Sequence, residues 1–242
     1  MPKYLAITSF NTRLYEEYAH RFTDTYRGDV DLLIVSEDWT HSNYRTLKLS
    51  AHRVFKSVNA WRTPTSYKQD AVRFCHKPYA VWTAYHEVTT PWNWEYDTLT
   101  WFDADTVFKQ PITTQFIDSL YTDGIMSYCG RSNYYSETGL LHFNLNTAAT
   151  GEYLEHMIEL YNTNKIYELE QTHDSYVWDY VRTRFERRKD KNKTLQFRNL
   201  AEHIAHPVPG GHIINYLYGN TIDHCKGKRK QQGYSREQQH DA

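Results

Sequence analysis

Cysteine is scarce. The three residues present, Cys75, Cys129 and Cys225, stand far apart with no C-x-x-C spacing. That excludes a disulfide framework and a zinc-cysteine cluster and leaves buried thiols as the expectation. No stretch approaches the roughly 20 apolar residues of a membrane span. The opening MPKYLAITSF lacks the charged-then-apolar build of a secretory signal, so the expected location is the cytosol. No internal repeat and no Gly/Ser linker divides the chain, and 242 residues suit one large core rather than two. One domain is therefore expected over residues 1–230, followed by a polar, disordered tail over 231–242. The formal net charge of −1 excludes a molecule that binds nucleic acid through its overall field.

What is present is a globular composition, 40% hydrophobic and 24% charged, with many aromatics, Tyr 21 and Trp 7. Such rings serve most often in core and rim packing, and in some proteins they stack on flat or ring-shaped ligands. Charge is unevenly spread: RTRFERRKDKNK (182–193) holds seven basic residues and two acidic ones, and KGKRK (226–230) four basic residues out of five. Runs of this kind are commonly solvated faces; a phosphate-bearing partner is the functional alternative.

Short apolar runs alternate with helical spacing. KYLAI (3–7) and DLLIVS (31–36) read as strands, and Leu14, Tyr18, Phe22 and Tyr26 between them as a helix face. SYKQDAVRFCHKPYAVWTAYHEV reads mainly as helix, with Pro78 either kinking it or standing in the first turn of a new one, and leads to the strand DTLTWF. DGIMSY and ETGLLHFNLNT follow as probable-strand patterns, GEYLEHMIELYNTN and DSYVWDYVRTRF as helices, and HIINYLYGNTI as a strand-like run. Strands alternating with helices predict an α/β fold with a largely parallel sheet.

LTWFDADTVF ends an apolar segment in Asp103-Ala104-Asp105, at the carboxyl end of a strand, where ligands of open α/β sheets collect. Asp29-Val30-Asp31 has the same spacing but precedes its apolar run, so position says more than spacing. On extended backbone, residues two apart point the same way, so both carboxylates can face one Mg²⁺ or Mn²⁺ with coordination sites left for phosphate oxygens. Aspartates that merely cap a turn or helix are the plainer reading. HCKGKRK adds H-x-x-G-x-x-K at His224, Gly227 and Lys230: an imidazole to complete the ion's ligands, a glycine that lets backbone amides approach a diphosphate, and a lysine to neutralise it.

Together these motifs resemble the glycosyltransferases of the A-type nucleotide-sugar fold, most of all the retaining glycogenin and lipopolysaccharide galactosyltransferase family. The resemblance spans roughly residues 3–230. RFCHKPYAVWTAY is similar to the family helix whose lysine lies near the donor, which implies Lys77 with Arg73 beside it. ETGLLHFNLN resembles its N-S-G strand and implies Glu137, Thr138 and Gly139 near the transferring sugar; THDSYVWDYV resembles its D-Q helix start and implies Asp174 at the reaction centre. Glu137 stands where Asn is usual, Ser175 where Gln is usual, and Gln231-Gln232 replace a Pro-Trp.

The resemblance implies a single-domain Rossmann-like α/β fold with a mostly parallel sheet, and a metal-dependent transfer of a sugar from a nucleotide diphosphate donor, a UDP-sugar, to an acceptor hydroxyl with retention. Asp103, Asp105 and His224 are the expected ligands of Mn²⁺ or Mg²⁺, with Asp103, Gly227 and Lys230 at the donor diphosphate. Asp174 and Glu137 are the expected catalytic carboxylates for an oxocarbenium-like state. Thr8, after the first strand, is expected at the base. A glycan, a lipid-linked glycan or nucleic acid is the expected acceptor. Two rivals remain: a nucleotidyltransferase, although ITSFNTRLYEEY lacks a Gly-rich loop, and a nucleic-acid-binding protein using the basic runs.

Overall fold

A computed structural model describes residues 3–90, 95–188, 197–204, 208, 212–227 and 229–235. Strand β1 (Tyr4–Ser9) is followed by α1 (Thr12–Leu14), a π-helical turn (Tyr15–Ala19) and α2 (His20–Thr25). Next come β2 (Asp31–Ser36), β3 (Arg45–Lys48), α3 (Arg53–Asn59), α4 (Ala71–Phe74), α5 (His76–Val88), β4 (Thr98–Phe102) and β5 (Thr106–Phe108). The remainder is α6 (Thr114–Leu120), β6 (Met126–Arg131), β7 (Tyr134–Asn144), α7 (Ala148–Asn162), α8 (Asp174–Arg187), β8 (Phe197–Asn199), α9 (Ile213–Tyr218), β9 (Ile222–His224) and α10 (Arg229–Gln232).

Seven strands form one mixed sheet in the order β3-β2-β1-β4-β7-β6-β8, and β5 pairs with β9 in a separate ribbon. Within the sheet only the β4–β7 and β7–β6 pairings are antiparallel, so it is mostly parallel. The near-continuous apolar runs of β1 and β2 follow from burial on both faces. Successive side chains point oppositely: Leu5, Ile7, Leu33 and Val35 pack with α5, α7 and α8, while Tyr4, Ala6, Leu32 and Ile34 pack with α2, α6 and α9. The three cysteines are free and buried. Among the described residues no helix is long and apolar enough to cross a membrane.

Pro78 is the third residue of α5, a first-turn position whose missing N–H has no helical partner to lose. HIINYLYGNTI proves to be α9 followed by a turn and then β9; a short apolar run fits either period, and here Ile213, Ile214 and Asn215 turn inward together. The expected boundary at residue 230 falls inside α10. Ser235 is buried, and its N–H donates to Asp223 Oδ2 at 3.0 Å, so residues 231–235 belong to the domain; 236–242 lie outside the described residues.

Two pairings build the site. β7 lies antiparallel to β4 with Leu140 opposite Phe102, and the Asp103 N–H donates to Gly139 O at 2.9 Å. β9 lies antiparallel to β5 with His224 opposite Thr106, and the Cys225 N–H donates to Asp105 O at 3.0 Å. Buried Asn215 anchors this short ribbon: its Oδ1 accepts the His224 N–H at 2.7 Å and its Nδ2 donates to His224 O at 3.3 Å, each bond contributing about 1 kcal/mol.

Candidate active site

The carboxyl ends of β1, β2 and β4 open onto one cleft of about 800 Å³, where Ser9, Glu37 and Asp103 follow or end those strands. This is the end at which ligands collect in open α/β sheets. Asp29 and Asp31, the second D-x-D, lie at the amino end of β2 and serve structure. Asp29 Oδ1 accepts the Thr114 N–H at 2.9 Å, and Asp31 Oδ2 accepts from the Tyr96 hydroxyl at 2.9 Å.

At the β4 end, Asp103, Asp105 and His224 come together as a possible metal-holding trio. The two carboxylates converge around a turn, with the Thr106 N–H donating to Asp103 O at 3.0 Å, and not along extended backbone as the spacing suggests. His224 Nε2 is 3.3 Å from Asp103 Oδ2 and 3.2 Å from Asp105 Oδ1.

The other atom of each group is already engaged. Asp103 Oδ1 meets Lys77 Nζ at 2.7 Å and accepts from the Trp101 indole at 2.8 Å. Asp105 Oδ2 meets Lys230 Nζ at 2.9 Å, and His224 Nδ1 meets Glu137 Oε1 at 3.0 Å. Asp105 Oδ1 and His224 Nε2 are buried without a well-formed hydrogen bond although they stand within ion-pair distance, so they face a common point instead of saturating each other. An imidazole nitrogen 3.2 and 3.3 Å from two carboxylate oxygens, with ligand atoms of the three residues within 4.8 Å of one another, matches neighbouring ligands of one divalent ion. These residues fit Mn²⁺ or Mg²⁺.

Burial opposes ionisation of all three acids here, and the surrounding cations overcome it. Lys77 and His224 hold Asp103 below the ordinary carboxylate range, His224 and Lys230 do so for Asp105, and His224 and Lys226 for Glu137. Conversely, burial disfavours the imidazolium, but Asp105, Asp103 and Glu137 raise His224 well above an ordinary histidine.

Asp174 opens α8 and lines the same cleft. Its Oδ2 meets Lys77 Nζ at 2.8 Å and accepts from Thr138 Oγ1 at 2.9 Å. Lys77 also donates to Thr138 O at 3.0 Å; burial weakens its ammonium, yet Asp103 and Asp174 outweigh that and raise its pKa. Arg73 is exposed on the cleft wall.

Gly139 is a site residue by size: a Cβ there would stand 2.2 Å from His224 Cε1. Gly227, at φ +59°, lies in the left-handed region that favours glycine; it starts the turn that returns Lys230 to Asp105.

Two expectations are displaced. Thr8 is fully buried in β1 beside Ile34 and does not line the cleft; Ser9, Phe10 and Asn11 do. The chain reaches the cleft later than expected because β1 runs through Ser9. Glu137 is fully buried and not part of the cleft wall. Its oxygens are taken by His224 Nδ1, by Lys226 Nζ at 2.7 Å and by the Ile214 N–H at 3.0 Å.

Glu37 is a group the sequence reading missed, although it follows DLLIVS as Asp103 follows LTWF. Its Oε1 is held by Lys56 Nζ at 2.9 Å and by His52 Nε2, with His76 Nδ1 at 3.8 Å. Burial raises its pKa, but Lys56, His52 and His76 bring it down to about 2. With an ammonium already on that oxygen, Glu37, His52 and His76 form an ion-paired cluster, not a second metal centre.

Part of each basic run is neutralised within the fold. Arg182 meets Asp179 at 3.1 Å and Glu186 at 2.6 Å, and Arg188 meets Glu152 at 2.6 Å. In 226–230, Lys226 and Lys230 are spent on Glu137 and Asp105. Residues 189–193 and 228 lie outside the described residues. A nucleic-acid surface built on these runs is not favoured.

The chain has the A-type glycosyltransferase fold. It superposes on the glycosyltransferase GlyE of Streptococcus pneumoniae TIGR4 with a TM-score of 0.51 at 12% identity, over 94% of this chain and 55% of GlyE. It likewise superposes on a glycosyltransferase involved in glycosylation of the major capsid of PBCV-1, with a TM-score of 0.50 at 13% identity, over 96% of this chain and 98% of that one. The chain thus spans little more than half of GlyE's length. No protein-family model and no curated protein matches the sequence.

Proposed function

We propose that the chain is a metal-dependent glycosyltransferase that moves a sugar from a nucleoside diphosphate donor, a UDP-sugar, to an acceptor hydroxyl with retention of configuration. The observation that carries this is the convergence of Asp103 Oδ2, Asp105 Oδ1 and His224 Nε2, with Lys230 alongside, at one end of a cleft large enough for a nucleotide.

Breaking the anomeric C–O bond builds negative charge on the diphosphate and positive charge on the sugar. A bound Mn²⁺ or Mg²⁺, held by Asp103, Asp105 and His224, would supply Lewis-acid stabilisation of the leaving diphosphate. Lys230 adds a fixed positive charge there, and Gly227 permits close backbone approach. Ser9, Phe10 and Asn11 take the nucleoside end, and Arg73 lines the same cleft. Asp174, kept ionised by Lys77, places a carboxylate where the sugar's charge develops.

Glu137 acts as a positioning residue. Its contact to Nδ1 fixes the ring so that Nε2 is presented to the ion, as carboxylates behind metal-binding histidines generally do. Thr138 and Gly139 support Asp174 and make room for the imidazole, respectively.

The test is a screen of nucleotide sugars for Mn²⁺-dependent hydrolysis and for thermal stabilisation, since a bound ligand raises apparent stability by mass action. One nucleotide sugar should be hydrolysed only with the ion present; no response to any donor in Mn²⁺ or Mg²⁺ contradicts the reading.

A further inference from the structure

Between Asp38 and Glu87 the chain carries eight Lys and Arg residues and one acid, Asp70, in a protein whose net charge is −1. The same segment concentrates exposed apolar surface. Val54 is 74% exposed, Val58 55%, Trp61 73% and Tyr67 60%, half of the large hydrophobic side chains left exposed among the described residues. Val54 and Val58 stand i, i+4 on one face of α3, and Trp61 follows in the turn after it.

α3 does not expose them by fraying. Its opposite face is seated by buried Phe55 and by Asn59, whose Nδ2 donates to Phe55 O at 2.9 Å and Asn164 Oδ1 at 2.8 Å. Lys56 is tied to Glu37. The apolar stripe is therefore held outward, flanked by exposed Arg53, Arg62 and Lys68. The Arg62 guanidinium lies 4.6 Å from the Trp61 ring centroid and 3.8 Å from that of Tyr167. Folding pairs Lys56 with Glu37 on the inner side of α3, and brings Glu168 and Glu170 to the edge where Arg62 and Gln69 touch their loop.

We propose that the outward face of α3 and the segment to Tyr67 is a docking surface for an anionic lipid membrane, with Val54, Val58 and Trp61 entering the headgroup region and Arg53, Arg62 and Lys68 meeting lipid phosphates. An aromatic and two aliphatic tips ringed by long cationic side chains match what that interface accepts, apolar atoms below and guanidinium at phosphate level. Each cation near an anionic surface strengthens binding several-fold.

The inner side of α3 carries Lys56, a wall residue of the cleft, so docking brings the cleft to the bilayer surface. Resting on the transferase reading, the acceptor class is then a hydroxyl presented at a membrane, as in a lipid-linked glycan.

The experiment is co-sedimentation of the full chain with phosphatidylcholine vesicles and with vesicles also containing phosphatidylglycerol. Wild type is compared with Val58→Ser/Trp61→Ser and with Arg53→Glu, and each protein is checked for an unchanged melting temperature and UDP binding. Expected are about tenfold tighter binding to the anionic vesicles and a loss of about tenfold in each variant. Absence of vesicle binding overturns the proposal. So does vesicle binding that Val58→Ser/Trp61→Ser leaves intact, which describes a purely electrostatic polyanion site, and so does a self-association that the double variant dissolves. Vesicle binding without any UDP binding would leave this surface standing and sink the transferase reading alone.

Discussion

Glu137 Oε1 and His224 Nδ1 stand 3.0 Å apart inside the protein, both almost fully buried, and this contact determines which imidazole nitrogen faces Asp103 and Asp105. Replacing Glu137 by Ala frees the ring and leaves the Lys226 ammonium without its partner. Mn²⁺ affinity, measured by calorimetry, is expected to fall about 10- to 100-fold, with Glu137→Gln intermediate. Unchanged affinity in Glu137→Ala would deny the residue its positioning role.

Gly139→Ala places a methyl within the His224 ring's own space, 2.2 to 2.6 Å from three of its atoms. The ring must move, at a cost of about 1–3 kcal/mol. The expected variant is folded, melts lower, and has lost Mn²⁺-dependent stabilisation by UDP. A variant with wild-type metal response would mean that His224 is not held where the structure shows it.

Asp174→Asn keeps an acceptor for Thr138 and Lys77 but removes the charge facing the sugar. Turnover should drop on the order of 100-fold while the donor's dissociation constant changes little. Equal damage to both would place Asp174 in donor binding instead.

These residues were not equally legible before folding. Asp103 and Asp105 could be recognised because LTWF gives the strand a direction, and the pairing with His224, far away in the chain, was signalled by the H-x-x-G-x-x-K pattern. What no local pattern carries is the face a side chain takes once a strand ends two residues later than expected. Thr8 points into the core for that reason, and Ser9 takes the cleft. Glu137 was expected beside the transferring sugar; its place behind His224 was not legible, since that depends on the β4–β7 and β5–β9 registers together. Glu37 carried the same signal as Asp103, a carboxylate following an apolar strand, and was overlooked because the acid after it, Asp38, is adjacent and does not make the D-x-D spacing. β1 and β2 were legible as short apolar runs; the helix in 212–222 was not, because six apolar-rich residues satisfy either period.

Acid should destabilise the protein through His142 and His76. His142 is fully buried, with Nδ1 2.9 Å from Thr100 Oγ1. Burial, aided by Arg198, lowers its pKa to about 3, and burial lowers that of His76 to about 4. A folded-state value below the unfolded value of about 6.5 means that the unfolded chain takes up the proton first. The stabilisation is complete above pH 6.5 or so and is lost as pH falls toward the folded values. The melting temperature should therefore drop between about pH 6.5 and 4, and His142→Gln should show a shallower slope in that window; an identical slope would contradict the assignment.

The most direct measurement is UDP binding by calorimetry with Mn²⁺ and with chelator, on wild type and on His224→Ala. Binding that requires the ion and disappears in the variant is the predicted result. Binding of equal strength in chelator, or a variant that keeps its Mn²⁺ response, would contradict a cation gripped between Asp103, Asp105 and His224.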